Sequence, residues 1–424
     1  MGTPTDVQGT AVEESSRTTE IRNIAAQLFE QSGFSATTMS DIATAVGILP
    51  GSLYHHFTSK EEIALEILAE FEHDRADLIQ TLTGLLDDVD RDPRDRLVDV
   101  SATVIAFSLR HRAAMRLFAY DAPSVSTERL RAAVGTSAPS LERVWKRAVD
   151  RLIPSPDASL DTERLALALH FLSINAAINT PEADDPEALA RLQISMLLDG
   201  FLAAAPTDEE LDASDAMRAA LEGIASWGKS SPAKDPTSRE HIVNAARAEF
   251  ARRGYDATTV RDIANAAGVR MGTLYRRVGS KEEILTEIVE TYKDHIERAY
   301  EAIRAAEDSD IATLDALALI FVEAKHRFQL ESEIVKVGWS SSRVSIPAVQ
   351  AFQESTSTRL HYVESVLAHG RESGDIRDLG LPSDVGPQFR FILWVPYPYR
   401  TKADRRRTLR FLRNSVLRGL LQPR

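Results

Sequence analysis

The sequence predicts an all-α fold made of two tandem units. Each is a three-helix head with a helix-turn-helix, followed by a helical body, and the two are arranged as a covalent pseudo-dimer. Three observations lead there. Ala, Leu, Arg, Asp and Glu dominate long stretches while aromatics reach only 7%, a mixture that favours helix over sheet. One segment occurs twice, 221 positions apart: Gly33-Phe34-Ser35-Ala36-Thr37-Thr38 returns as Gly254-Tyr255-Asp256-Ala257-Thr258-Thr259. Within each copy, two short helical runs flank a glycine about three residues before the second run, the spacing of a helix-turn-helix.

The first element is a helix before Gly33, where Ile21, Ile24, Ala25, Leu28 and Phe29 form one apolar stripe at i, i+3, i+4, i+7 and i+8. Ile242, Ala245, Ala246 and Phe250 repeat the stripe, and Gly33 and Gly254 are suited to end the helix. The second element opens at Thr38 with Asp41 three residues on, and at Thr259 with Asp262, as capping boxes do. Gly47 and Gly268 break it. The third starts near Pro50 in one copy and Met271 in the other, and proline fits a first helical turn. The pairing continues without a gap through Leu53-Tyr54 and Leu274-Tyr275 to Ser59-Lys60-Glu61-Glu62-Ile63 and Ser280-Lys281-Glu282-Glu283-Ile284, which open a fourth helix. About half of the positions from Gly33 to Ile63 are identical in the second copy.

The expected organisation is a disordered tail over 1–16, a first head over 17–62, a first body over 63–205, a linker over 206–237, a second head over 238–283 and a second body over 284–424. The two bodies show little obvious similarity to each other. Leu211–Trp227 has helical character, and 228–236 reads as a flexible connector.

The second helix of a helix-turn-helix lies in the major groove with its N-terminal residues toward the base edges. That makes Leu49, Pro50, Gly51 and Ser52, with His55 one turn on, the candidate base readers of the first head. Arg270, Met271, Gly272 and Thr273, with Arg276, are those of the second. The two glycines let the backbone come close to DNA. Tyr54, Tyr275, Lys60, Lys281, Thr38 and Thr259 are candidates for phosphate. Leu53 and Leu274 are expected in the core. Thr38 and Thr259 also make sense as caps alone, and the two lysines as solvated charges.

Other chemistry finds little support. There is no cysteine, which excludes disulfides, thiolate zinc sites and cysteine nucleophiles. No nucleophile elbow, phosphate-binding loop or paired-histidine zinc motif is present. No catalytic residue, metal or cofactor is expected. The start of the chain does not read as a signal peptide, and no run of about 18 apolar residues suggests a membrane span, so the expected location is the cytoplasm. The net charge of −13 argues against coating nucleic acid indiscriminately. A local basic face remains available, above all in the second head, with Arg252, Arg253, Arg261, Arg270, Arg276, Arg277 and Lys281.

Both repeated segments, about Arg17 to Phe71 and Ser238 to Tyr292, resemble the DNA-binding domain of TetR-family transcriptional regulators. The resemblance rests on Gly33-Phe34-x-x-Thr37-Thr38, Asp41-Ile42-Ala43, Gly51-Ser52-Leu53-Tyr54-His55-His56-Phe57 and Ser59-Lys60-Glu61, and on their counterparts from Gly254 to Glu282. It implies three DNA-binding helices, a helical ligand-binding body, dimeric action on double-stranded DNA, repression, and release by a small molecule. The segment from Phe389 to Tyr399, with Trp394, Tyr397 and Tyr399, faintly resembles members that sense acyl-CoA thioesters. The implied effector is therefore a hydrophobic molecule or an acyl-CoA. The chain departs from the family pattern in carrying two units, in Leu49-Pro50, and in Arg276-Arg277-Val278.

Two unequal heads lead to an asymmetric operator, bound by a monomeric pseudo-dimer or by a homodimer of it. Leu165–Ala177 and Leu189–Ala203 are expected to pack with Phe389–Val395 and Leu409–Leu421 as a four-helix interface. Ligand candidates in the second body are Phe321, Phe328, Trp339, Phe352, Trp394 and Tyr397; in the first they are Phe107, His111, Phe118, His170 and Asn175. The competing readings are an adaptor that has lost DNA binding and, further off, an enzyme.

Overall fold

In the computed structural model each repeated segment forms three helices and opens a fourth. The structure describes residues 6–34, 36–118, 129–130, 139–150, 152, 159–180, 182–204, 206–228, 235, 237–338, 346–377, 385–398 and 401–421. In the first head, α1 (Asp6–Ser32), α2 (Met39–Val46) and α3 (Pro50–His56) precede the long α4 (Lys60–Asp87). The first body continues with α5 (Pro93–Arg110), α6 (Arg112–Arg116), α7 (Pro139–Asp150), α8 (Ser159–Ile174), α9 (Ala176–Asn179) and α10 (Pro186–Leu198). Next come α11 (Asp208–Ala213) and α12 (Asp215–Ser226). The second head is α13 (Arg239–Arg253), α14 (Val260–Ala267) and α15 (Met271–Val278), followed by the long α16 (Lys281–Ala305). The second body adds α17 (Asp310–Arg327), α18 (Gln329–Gly338), α19 (Pro347–Ser373), α20 (Val385–Trp394) and α21 (Lys402–Leu412), the last running into a π-turn at Arg413–Leu417. Among the described residues there is no β-strand beyond one isolated bridge, Leu202 with Ile376.

Two expected boundaries change. Residues 6–16 belong to α1 and not to a disordered tail. Residues 206–228 are not a linker. Thr207 caps α11 with a full capping box closed by Glu210, and Ser214 caps α12. Ala216, Met217 and Ala220 are then buried. A Cβ on Gly223 would lie 3.0 Å from the Cβ of Ala299 on α16, the Trp227 indole N–H donates to the His295 carbonyl at 3.1 Å, and Asp308 accepts from the Ala216 N–H at 3.0 Å. One apolar stripe thus suffices to dock α12 on the second body.

The two halves meet around a local two-fold that the chain closes on itself. Phe201 and Leu202 donate their N–H groups to the carbonyls of Val416 and Leu417 at 3.0 and 3.1 Å. In return, Leu420 and Leu421 donate to Leu197 and Leu198 at 3.4 and 3.0 Å. Every residue in one set has its counterpart 219 positions along in the other, so the bonds are reciprocal, as across an isologous interface. The axis passes beside Gly200 and Gly419, both at positive φ (63° and 87°), with each glycine against the other half's backbone. Around it, Phe201 meets Phe389 edge-on at 5.9 Å, and Gln193 donates to the side chain of Gln388 at 3.1 Å. These residues come from the helical runs expected to form the interface.

An ion network around the buried Arg413–Asp315 pair holds α11 to the second body. Arg413 reaches Asp315 at 2.8 Å and Asp212 at 2.7 Å, while Arg418 reaches Asp208 at 2.6 Å. Burial raises the Asp315 carboxyl's pKa, and the hydrogen bonds from Arg413 oppose that rise.

Candidate nucleic-acid interface

Each head buries one apolar cluster, that of the first continuous with the core of the bodies and that of the second with α18 and α19. Ile21, Ala25, Phe29, Ile42, Ala43, Leu53 and Phe57 are buried in the first, with Ile242, Ala246, Phe250, Ile263, Ala264, Leu274 and Val278 in the second. Burying one such large side chain contributes about 1.5–3 kcal/mol. Thr37 and Thr258, also buried, donate to the carbonyls of Gly33 and Gly254 at 2.8 and 2.7 Å. Gly47 and Gly268 take the left-handed conformation (φ 77° and 66°) that turns the chain from the second helix into the third.

The third helices, α3 and α15, present matching surfaces. Leu49, Pro50, Gly51, Ser52 and His55 are exposed, as are Arg270, Met271, Gly272 and Arg276, while Thr273 is half-buried. Tyr54 and Tyr275 are 55% and 54% exposed, so the repeat holds them equivalently. A Cβ added at Gly51 or Gly272 would meet nothing within 4 Å. Neither glycine has a positive φ, so the fold itself requires a glycine at neither position. Both sit on the face expected to meet DNA.

The expected phosphate contacts divide. Thr38 and Thr259 complete capping boxes: each hydroxyl donates to the Asp41 or Asp262 carboxylate at 2.7 or 2.6 Å and accepts the same residue's N–H. Their hydroxyl protons are thus used within the head. Hydrogen bonds from Thr259 hold the Asp262 carboxyl below its usual pKa. The Lys60 ammonium donates to the carbonyls of Phe34 and Thr37 at 2.8 and 2.9 Å and lies 4.5 Å over the Phe34 ring. It ties α4 to the turn before α2. Lys281 lies 4.0 Å over the Tyr255 ring, and burial lowers its pKa. It makes no hydrogen bond to any described residue.

The bodies hold the heads through different contacts. In the first, α1 packs on α6, and Arg22 pairs with Glu70 at 3.3 Å. In the second, α13 packs on α18, with Arg247 and Glu331 paired at 2.9 Å, and Ile334, Val335, Val349 and Phe352 join the head's own core.

The expected ligand residues are not gathered into one cavity. Phe328 packs against Trp227, Tyr292 and His295, Phe352 stacks on Tyr292, and Tyr397 lies against Phe411. Phe328, Phe352 and Tyr397 are buried. Trp339 and Tyr399 lie outside the described residues. Among the described candidates Phe321 and Trp394 come together: their rings are 6.4 Å apart, and the Lys325 ammonium lies 5.8 and 5.2 Å from them. Burial pushes the Lys325 pKa down to about 8. In the first body Phe107, His111 and Phe118 pack around Phe71, and the Asn175 amide donates to the Phe171 carbonyl. His170, half-buried, is pushed down to about 4 by desolvation. An open groove of about 610 Å³ lies elsewhere, on an acidic stretch of α16 that includes Glu283, Glu287 and Glu290.

Comparison with known proteins places these heads. The model of bacterial regulatory proteins of the tetR family matches at residues 21–67 and again at 242–288. The HTH-type transcriptional repressor KstR2 of Mycolicibacterium smegmatis is 48% identical over 170 residues, which is 39% of this chain and 80% of that protein. The chain belongs to the TetR family. A second TetR-family relative, KstR2 of Rhodococcus jostii, is 59% identical over 58 residues, 14% of this chain and 28% of that repressor's length. Among solved structures, the ketosteroid transcriptional regulator KstR2 of Mycobacterium tuberculosis is similar at 26% identity with a TM-score of 0.37, covering 41% of this chain and 90% of that one. TetR proteins are regulators and not enzymes. Among the described residues no group of His, Cys, Asp or Glu is arranged to hold a metal, and no helix is long and apolar enough to cross a membrane.

Sequence reading missed the reciprocal segments at the interface. Leu197-Leu198-Asp199-Gly200-Phe201-Leu202 and Val416-Leu417-Arg418-Gly419-Leu420-Leu421 share two leucines, a glycine and an apolar pattern. A search at 219 positions, two fewer than the heads, would have found them.

Proposed function

We propose that one chain is the complete DNA-binding unit of a transcriptional repressor. Its two unequal heads read an asymmetric operator with half-sites about one helical turn apart, and a small molecule held in a body releases it. The reciprocal bonding of 197–202 with 416–421 carries this reading. An isologous patch is self-complementary, and here each half's patch is already covered by the other's. A second chain therefore finds no free copy to pair with. Covalent linkage also keeps the second head at high effective concentration once the first has bound.

The head surfaces support DNA as the partner. Two equivalent helices expose a tyrosine, a glycine without a packing role and a distinct set of tip residues. The second head keeps Arg270, Arg276 and Lys281 outside any hydrogen bond or ion pair to described residues, whereas the first has its lysine engaged.

For the effector, the Phe321, Trp394 and Lys325 cluster supports a molecule with an apolar body and a negative group, an acyl-CoA among them. Lys325 makes no hydrogen bond or ion pair to a described residue, and a bound anion would offset the burial that lowers its pKa. Titrating an acyl-CoA against the operator complex should release wild-type protein, and Lys325→Met should blunt that release. Equal release from both would remove the residue from the site.

Sedimentation of the protein on a two-half-site duplex tests the central claim. One chain per duplex is expected, and two would overturn it. Absence of DNA binding by the intact chain at low salt would favour an adaptor instead.

A further inference from the structure

The recognition helices α3 and α15 begin on residues that the repeat makes equivalent, Leu49 and Arg270. Both are N-cap residues with nearly the same backbone: φ −71°, ψ 145° and φ −76°, ψ 148°. The approach to them is also the same, since Ile48 and Val269 each donate at 3.0 Å to the carbonyl of an equivalent alanine, Ala43 and Ala264. The two heads therefore deliver the same Cα–Cβ vector beyond the start of the recognition helix. What differs is the side chain.

Neither side chain serves its own helix. An N-cap favours Ser, Thr, Asp or Asn, whose oxygen accepts an orphan N–H, and here neither residue makes a side-chain cap hydrogen bond. Leu49 is 76% exposed, more than any other exposed large hydrophobic residue described. Arg270 is exposed and makes no ion pair with a described residue. A lone leucine on a surface is ordinary. This one stands at the tip of a recognition helix, beside an exposed glycine and tyrosine, at the position where its twin carries a guanidinium.

We propose that Leu49 and Arg270 read the same base position in the two half-sites by different chemistry. Leu49 lies against the C5-methyl group of a thymine, and Arg270 donates two hydrogen bonds to O6 and N7 of a guanine. Each base presents that group only in the major groove, and an apolar side chain and a guanidinium fork are the respective complements. The proposal rests on the asymmetric-operator reading above and narrows it to one position, where the first half-site carries T and the second carries G.

Selection from random duplexes should be run on wild type, Leu49→Arg, Leu49→Ala and Arg270→Leu. Wild type should return an asymmetric site with T and G at the equivalent positions. Leu49→Arg should change that T to G, and Arg270→Leu should change that G to T. Leu49→Ala should lose the preference without gaining another. With single-base-substituted duplexes, discrimination at the swapped position should change by roughly 5- to 150-fold. Melting should stay at the wild-type temperature, since both side chains are exposed. If Leu49→Arg leaves every base preference of the first half-site as it was while the site remains asymmetric, this inference fails and the asymmetric operator stands. A palindromic wild-type site overturns the operator reading itself.

Discussion

Replacing Gly419 by alanine tests the internal two-fold directly. The new Cβ would lie 2.2 Å from the Asp199 carbonyl carbon and 2.4 Å from its oxygen. Both are backbone atoms, so no flexible side chain can move aside. Gly419 has φ 87°, and a left-handed residue other than glycine costs about 1–2 kcal/mol. Relieving the overlap costs about 1–3 kcal/mol more, and it pulls the Leu420 and Leu421 N–H groups from the Leu197 and Leu198 carbonyls, at about 1 kcal/mol each. The last two effects share one displacement, so a total of about 3–5 kcal/mol is reasonable. With an unfolding entropy of about 2.1 cal/mol/K per residue, a chain of this length melting as one unit should lose roughly 3–6 °C. Calorimetry measures that loss, and binding to duplexes with one or two half-sites measures its consequence. Affinity for a single half-site should persist, because the overlap lies at the join and in neither head, while the advantage of two half-sites should fall at least about tenfold. A variant that melts within about 1 °C of wild type and keeps that advantage would refute the argument.

The remaining predictions use the same structure. Gly51→Ala and Gly272→Ala, with open space around the new Cβ, should leave stability equal or raise it by up to about 1 kcal/mol, yet weaken DNA binding; unchanged affinity by fluorescence anisotropy would show that neither glycine faces DNA. Lys60→Met removes the donor to two carbonyls and should cost about 1–3 kcal/mol of stability, whereas Lys281→Met should chiefly lower the salt dependence of DNA binding; the opposite division in melting and salt titrations would reverse the two roles. His170, held at about 4 against an ordinary 6.5, stays neutral in the folded chain while the unfolded chain gains a proton. Its contribution is therefore complete above pH 6.5 and is lost as pH falls toward 4, by up to about 3 kcal/mol. His170→Phe should flatten that acid limb in pH-dependent melts, and an unaltered limb would count against it. Arg418→Asp replaces the pairing with Asp208 by a like-charge contact, so its melting should fall more than that of Arg418→Met; equal losses would mean that charge at this contact does not matter.

The heads were legible because their signals are local. A threonine three residues before an aspartate, a glycine at the turn and an apolar stripe each act over one helical turn, and the repeat displayed them twice. The interface runs were legible as strongly apolar helices, but their pairing was not. Leu197 against Val416 and Phe201 against Leu420 preserve volume and hydrophobicity without identity, which is all that packing demands. The helical character of Leu211–Trp227 was legible, but what 206–228 docks on was not, although the stretch carries Asp208, Glu209, Glu210, Asp212 and Asp215. Among them, Asp208 and Asp212 meet Arg413 and Arg418, residues some 200 positions away that composition cannot connect. The ligand candidates were chosen as aromatics, and most aromatics here fill core. Lys325 is the informative member of its cluster and gave no local signal, since a lysine near a helix end ordinarily reaches solvent.

Joining two units on one chain changes what each part is free to become. In a homodimer every substitution appears in both heads, so the two half-sites remain related by symmetry. Here a substitution at one tip leaves the other untouched, and the tips have separated: Leu49 against Arg270, Pro50 against Met271, His55 against Arg276. The interface follows the opposite rule, because each of its residues packs against the counterpart's neighbours, and Gly200 and Gly419 remain glycine. One pair beside the axis breaks the likeness, Asp199 against Arg418. In this chain the Asp199 carboxylate pairs with Arg94, within the first body, and Arg418 pairs with Asp208 on α11 at 2.6 Å. The same linkage that lets the heads diverge thus also lets the two halves carry opposite charges at equivalent positions, each with a different partner.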